Sequence, residues 1–242
     1  MKNELRPIII QGAMDIEIEH LVKNLSNMEE ILIGSLSFFK GELYSYPIII
    51  SKTEIGTINC AMATTIAIMK FNPLAVINQG IAGGYIDNIN NGDIVIGEEC
   101  TNINNFSMPV KELGQGSDPF TWEYNDDINN TICGDKKLLE LAKNINYDNG
   151  NGNIFFGVIG SGDVFNREVD RIKWIYEKKN TLCEEMESIG TYTICNNFNI
   201  PCIGIRVISN NEITKEEYDR TVAIKSQEFV LELIKKYIDE DK

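Results

Sequence analysis

The chain has 242 residues, 43% of them hydrophobic, and 22 basic against 36 acidic side chains give a formal charge of −14. That length suits one α/β core, and the acidic balance argues against a nucleic-acid partner, because a phosphate backbone needs a basic footprint. No apolar run reaches the ~20 residues that cross a bilayer, and no signal-peptide stretch precedes Gly12, so the expectation is a cytoplasmic protein with no membrane contact.

In chain order, Pro7–Ile10 reads as a strand that ends in Gln11-Gly12-Ala13-Met14, and a helix follows over Ile16–Leu25. Ile31–Phe39 and Leu43–Ile50 read as an antiparallel excursion joined through Lys40-Gly41-Glu42, with Tyr46–Ile50 as its return strand. The helix Thr57–Lys70 leads to a strand over Leu74–Ile77, which ends in Asn78-Gln79-Gly80-Ile81-Ala82-Gly83-Gly84. A strand over Asp93–Ile96 precedes the polar, Gly- and Pro-containing stretch Asn102–Asn130, read as a surface excursion.

The second half repeats the rhythm. A helix over Lys136–Ile145, a polar break at Asn146–Asn153 and a strand over Ile154–Ile159 lead to helices over Arg167–Lys178 and Met186–Asn197. A strand over Pro201–Ile208 follows, running into Ser209-Asn210, and the chain closes with a helix over Glu216–Tyr237. Helix after strand predicts an α/β fold: one domain over residues 1–242, built on a central mixed β-sheet flanked on both faces by helices.

Polar clusters at strand ends are where open α/β sheets bind small ligands. Six cysteines occur without C-x-x-C spacing, and several sit in apolar runs, which supports neither a disulfide scaffold nor a metal site. His20 is the only histidine, so acid–base chemistry must come from Asp and Glu. Arg206 lies inside an apolar strand, where an unpaired charge is costly, and is expected to pair with Glu17 or Glu187.

Several of these segments match one family in order along the chain. Gly12-Ala13-Met14-Asp15-Ile16-Glu17, Ile55-Gly56-x-x-Asn59, Asn78-x-Gly80-x-Ala82-Gly83-Gly84, Gly92-Asp93-Ile94-Val95, Ser161-Gly162-Asp163-Val164-Phe165, Glu185-Met186-Glu187 and Arg206-x-x-Ser209 together carry the match. The chain resembles the purine nucleoside phosphorylase/nucleosidase superfamily, and within it the 5′-methylthioadenosine/S-adenosylhomocysteine nucleosidases. The resemblance implies a homodimer that cleaves the N-glycosidic bond of a small-molecule purine nucleoside, with water as acceptor and no cofactor.

That chemistry needs an acid near the water, a carboxylate for the ribose hydroxyls and contacts for the base. Glu17 is the candidate to bind and activate water; by itself it would read as a first-turn glutamate favoured by the helix dipole. Glu187 is the candidate for the ribose hydroxyls, with Met186 against the sugar; the plainer view makes Glu184, Glu185 and Glu187 a solvated helix start. Arg206 enters as the partner of one of these acids. Met14, Ile81 and Ser209 join the substrate-binding set, Phe165 is placed to stack on the purine or its sugar, and Asn166 to line the base through its backbone. A phosphate acceptor is disfavoured, since Asp15 and Glu17 would repel it.

Two positions leave the pattern. Where the family carries an aspartate that protonates or hydrogen-bonds the purine, this chain has Asn210, which can read a base but cannot hand over a proton. Ile81 stands where the family usually places a small hydroxyl residue. Three readings follow: a methylthioadenosine-type nucleosidase, a 6-oxopurine nucleosidase of altered base choice, or a nucleoside-binding protein with little turnover. Glu212, two residues beyond Asn210, is a second acid from which a proton could come.

Overall fold

The computed structural model of the chain describes residues 5–125, 131–148, 150 and 152–240. Its first elements are β1 (Ile8–Gly12), α1 (Asp15–Asn24), β2 (Ser26–Ile33), β3 (Leu36–Leu43), β4 (Tyr46–Lys52) and α2 (Thr57–Phe71). The middle of the chain forms β5 (Ala75–Gly84), β6 (Ile94–Asn102), β7 (Phe106–Ser107), β8 (Glu123–Tyr124), β9 (Thr131–Cys133) and α3 (Lys136–Lys143). The last third forms β10 (Ile154–Ser161), α4 (Val169–Lys179), β11 (Thr181–Glu185), α5 (Ser188–Phe198), β12 (Cys202–Asn211) and α6 (Ala223–Glu240).

The sheet is mixed and runs β11-β10-β6-β12-β5-β1-β4-β3-β2, with β9 added beside β6. Both faces of its central strands are apolar, as buried parallel strands require. In β1, Ile8 and Ile10 face one core with α1, α3 and α6, which contribute Leu21, Leu138, Phe229 and Leu233. Ile9 faces the other core with α2 and α5, which contribute Ala63, Ala67, Ile189 and Tyr192. Fully burying one such isoleucine stabilises the fold by about 1.5–3 kcal/mol. The expected fold class, α/β with a central mixed sheet between helices, is the observed one.

A second pairing decides where the site lies. β11 runs antiparallel to β5 as well as parallel to β10, so β5, β12, β6, β10 and β11 close on one another. At the closure Gly83 of β5 stands opposite Glu184 of β11 and Asn210 of β12. The polar ends of three strands therefore meet at one place.

Several expected elements are corrected. Ile31–Phe39 is not one strand, because the chain turns at Gly34, whose φ of 62° favours glycine. Lys40-Gly41-Glu42 lies within β3, and the hairpin to β4 turns at Tyr44 and Ser45, both at positive φ (52° and 63°). The last helix begins at Ala223 rather than Glu216, because Glu216 bridges back to Asn211 and Arg220–Val222 forms a 3-10 turn. β11 was not expected at all; its five residues are too short and too acidic at one end to show a strand period.

The excursion after Asn102 carries more structure than its composition suggests. Phe106, Trp122, Tyr124 and Trp174 pack ring on ring, with centroids 4.7–6.1 Å apart, and tie it to α4. Residues 126–130 of that excursion, and Asn149 and Asn151 of the later polar break, lie outside the described residues. All six cysteines are free thiols, and five of them are buried.

Candidate active site

A cavity of about 730 Å³ opens at the joined strand ends. Met14, Glu17, Ile81, Phe165, Met186, Glu187, Ser209 and Asn210 all line it, so eight of the ten singled-out residues meet in one place. Arg206 and Asn166 are not among its walls and lie behind them.

Glu17 is buried, contrary to the exposed first-turn alternative. Its Oε2 accepts from the N–H groups of Ala13 and Met14 at 2.7 and 3.0 Å, and its Oε1 from Ile81 N–H at 2.9 Å. Three backbone donors hold the carboxylate against rotation. A methyl group at Gly80 would overlap Glu17 Oε1, so only glycine lets β5 pass this close. Burial raises the Glu17 pKa above the usual value, and the backbone donors and Arg206 moderate the rise. Ile81 reaches Glu17 through its N–H, a contact that does not depend on its side chain.

Glu187 Oε1 accepts from Gly56 N–H at 2.9 Å, at a glycine with φ of 109° just ahead of α2. Burial first, then the charges of Glu185 and Glu17, push the Glu187 pKa up to about 8. The charge of Glu17 acts on Glu187, as expected of two acids that line one cavity. Ser209 Oγ donates to Asn210 Oδ1 at 3.1 Å, which orients the carboxamide with its NH2 end as the donor.

Arg206 pairs with neither Glu17 nor Glu187. Its Nε and Nη2 donate to Glu185 Oε2, the first at 3.1 Å, and Nη2 also donates to Ser188 Oγ and Asn78 Oδ1. Glu185 in turn accepts from the N–H groups of Glu187 and Ser188, so it caps the start of α5. Burial opposes the charge on Arg206, but the carboxylates of Glu185 and Glu187 outweigh it and raise its pKa above the usual value. Position explains the choice: Glu185 ends β11 and reaches Arg206 on β12, whereas Glu187 sits beyond the strand.

Asn166 also departs from expectation. Its backbone N–H donates to Glu184 Oε1 at 2.8 Å, and its side-chain amide donates to Glu184 Oε2 and to Tyr85 Oη. That N–H is therefore already committed and does not line the base. Glu184 was grouped with a solvated helix start, yet it is buried and lines the cavity. Tyr85 Oη donates to its Oε2 at 2.5 Å, and burial pushes its pKa up to about 7. Alternation within β11 would have exposed its role, had the strand itself been legible.

The cations at the cavity are few. Arg167 is paired with Glu212 at 2.9 Å, and Lys215 stands at the rim with Glu216, Glu217 and Tyr218. Among the described residues no cluster of His, Cys, Asp and Glu is arranged to hold a metal ion.

Acids and an amide thus gather at the strand ends of a closed mixed sheet, and residues 7–239 match the model of the phosphorylase superfamily. The chain belongs to that superfamily. It is 30% identical over 236 residues to the 5′-methylthioadenosine/S-adenosylhomocysteine nucleosidase of Shewanella piezotolerans, covering 93% of this chain and 97% of that one. It is 29% identical to the enzyme of the same name from Bacillus cytotoxicus, covering 94% of this chain and 98% of that one. The solved nucleosidase of Neisseria meningitidis, in complex with methylthio-immucillin-A, superposes with a TM-score of 0.81 at 28% identity, over 96% of this chain and 99% of that one. The resemblance seen in the motifs is thus borne out across nearly the whole chain, and within the superfamily its kin are these nucleosidases.

Proposed function

We propose that this chain hydrolyses the N-glycosidic bond of 5′-methylthioadenosine and S-adenosylhomocysteine, releasing adenine with water as acceptor and no cofactor. One observation carries the reading: two buried carboxylates, Glu17 and Glu187, face the same cavity beside the carboxamide of Asn210. Glu17, fixed by three N–H donors and made more basic by burial, holds the attacking water and takes its proton. Glu187 accepts from the ribose hydroxyls, and Met186 packs against the sugar. The acidic walls favour the positive charge that develops on the ribosyl carbon. Ser209 and Asn210 address the base, Phe165 covers it from the mouth, and Met14 and Ile81 enclose the water side.

Arg206 is a positioning residue in this scheme: it fixes Glu185, which fixes the start of α5 and with it Glu187. Hydrolysis is preferred to phosphorolysis because Arg206 is committed to Glu185 and Arg167 to Glu212, leaving little cation for a phosphate. The same reading makes the protein a cytoplasmic homodimer without a nucleic-acid partner. A net charge of −14 fits that, and no helix among the described residues is long and apolar enough to cross a membrane. The outer face of α2 presents Ile58, Met62 and Met69 at exposures of 79%, 43% and 75%, and supports a second copy packing there.

Incubation with both thio-nucleosides and an assay for free adenine tests the proposal. Release should fall ~10²–10⁴-fold in Glu17→Gln, the usual loss of a general base. No adenine from the wild-type chain would reject it.

A further inference from the structure

When the glycosidic bond breaks, its electron pair stays with the purine, and a proton delivered to a ring nitrogen eases departure. Asn210 has no proton to give. Glu212 is held by Arg167 at 2.9 Å at the rim. We propose that Glu184 is the general acid of this site, protonating a ring nitrogen of the departing purine. This inference rests on the nucleosidase reading and adds to it the residue that replaces the missing aspartate.

The sheet closure supplies the geometry. Gly83 is paired in register with Glu184 on one side and Asn210 on the other. A Cβ built on Gly83 would lie 3.5 Å from Asn210 Nδ2 and 3.8 Å from Glu184 Cγ, so both side chains converge over one glycine. Both also line the cavity. A flat base lying over Gly83 would have the Asn210 carboxamide on one side and the Glu184 side chain on the other.

The surroundings suit a group that gains and loses a proton. Tyr85 and Asn166 donate to the carboxylate, and Asn166 Oδ1 is buried with no partner. A half-turn of that carboxamide would make it accept from the carboxylic acid instead, so the cluster accommodates both protonation states. Arg171 on α4 is the cation acting on Glu184 from a distance, and it is bonded to Asn104. Glu185 on the same strand is spent on Arg206, while Glu17 and Glu187 occupy the sugar end of the cavity. Burial pushes the Glu184 pKa up to about 7, which lets it hold a proton near neutral pH.

The step balances as follows. The C1′–N bond breaks and its electrons go to the base, which takes the proton of the Glu184 acid. Water adds its oxygen to C1′ and gives a proton to Glu17. Glu184 ends as carboxylate and Glu17 as acid, and exchange with solvent returns one proton to the former and removes one from the latter.

The test compares methylthioadenosine with 4-nitrophenyl riboside, whose leaving group departs without a proton, over pH 5–9. For Glu184→Gln we expect the nucleoside rate to fall ~10²-fold or more, while the nitrophenyl rate falls less than about fivefold. The wild-type nucleoside rate should decline as pH rises through about 7, and that limb should vanish in the variant. Adding Asn210→Asp to Glu184→Gln should restore at least about tenfold of the nucleoside rate, because a carboxyl again stands at the base. Equal losses on both substrates, no loss, or no rescue by the second substitution would overturn the proposal. If the wild-type chain cleaves neither substrate, the nucleosidase reading falls and takes this one with it; cleavage with equal losses removes this one alone.

Discussion

Glu184 and Glu185 are neighbours in β11, equally buried, and face opposite sides of the strand. On one side Glu185 meets the Arg206 guanidinium and the N–H groups of Glu187 and Ser188 at the start of α5. On the other side Glu184 has hydrogen-bond donors but no cation in ion-pair contact among the described residues, and burial lifts its pKa to about 7. The contrast shows what separates a framework carboxylate from a reactive one. An acid paired with a cation holds strands together; a buried acid with donors alone keeps a proton available.

The sharpest way to break that contrast is to strip Glu185 of its cation. Arg206→Met keeps the volume but leaves a buried, unpaired carboxylate, a change that typically costs about 3–5 kcal/mol. A thermal melt should show a large drop in Tm; a melt within a degree or two of wild type would mean that the pair does not hold the frame.

Glu184→Gln should do the reverse and stabilise. The folded-state pKa of about 7 lies above the ordinary value of 4.5, so the native chain binds the extra proton between those values. Stability from this group is complete below about pH 4.5 and is lost as pH rises through about 7. Removing the group should therefore gain on the order of 3 kcal/mol at about pH 8, and almost nothing near pH 4. Denaturation curves of the two proteins that stay parallel across this range would contradict the assignment of a proton-holding Glu184.

The smallest effect concerns Glu187, where both features mix: a donor from Gly56, the nearby charge of Arg206, and a pKa of about 8. Glu187→Gln weakens acceptance from the ribose hydroxyls by about 1.5–3 kcal/mol. KM should rise roughly ten- to a hundredfold, with kcat less affected. A change in kcat alone would assign Glu187 a part in the chemical step rather than in holding the sugar.

Much of this site was legible in the chain. Glu17, Glu187 and Asn210 stand beside Gly- and Met-containing strand ends whose order matches a family, and all three reach the cavity. Arg206 was recognisable as a buried charge in need of a partner, because an apolar strand leaves it no water. Its partner was not, since the choice between three nearby acids depends on which way each residue of an unrecognised five-residue strand points. Asn166 was placed at the base by position alone, and Glu184 took its N–H instead. Glu184 itself looked like one more solvated acid.

The amino-acid order determined the α/β class, both apolar faces of the central strands, and the identity of the groups at the strand ends, because period and local chemistry are written residue by residue. Only the folded chain decided that β11 would close onto β5, since that pairing joins segments about a hundred positions apart, and no local pattern encodes it. That closure sets Glu184 opposite Gly83 and buries it with no ion-pair partner among the described residues, and so turns a surface-looking glutamate into an acid that holds its proton near neutrality.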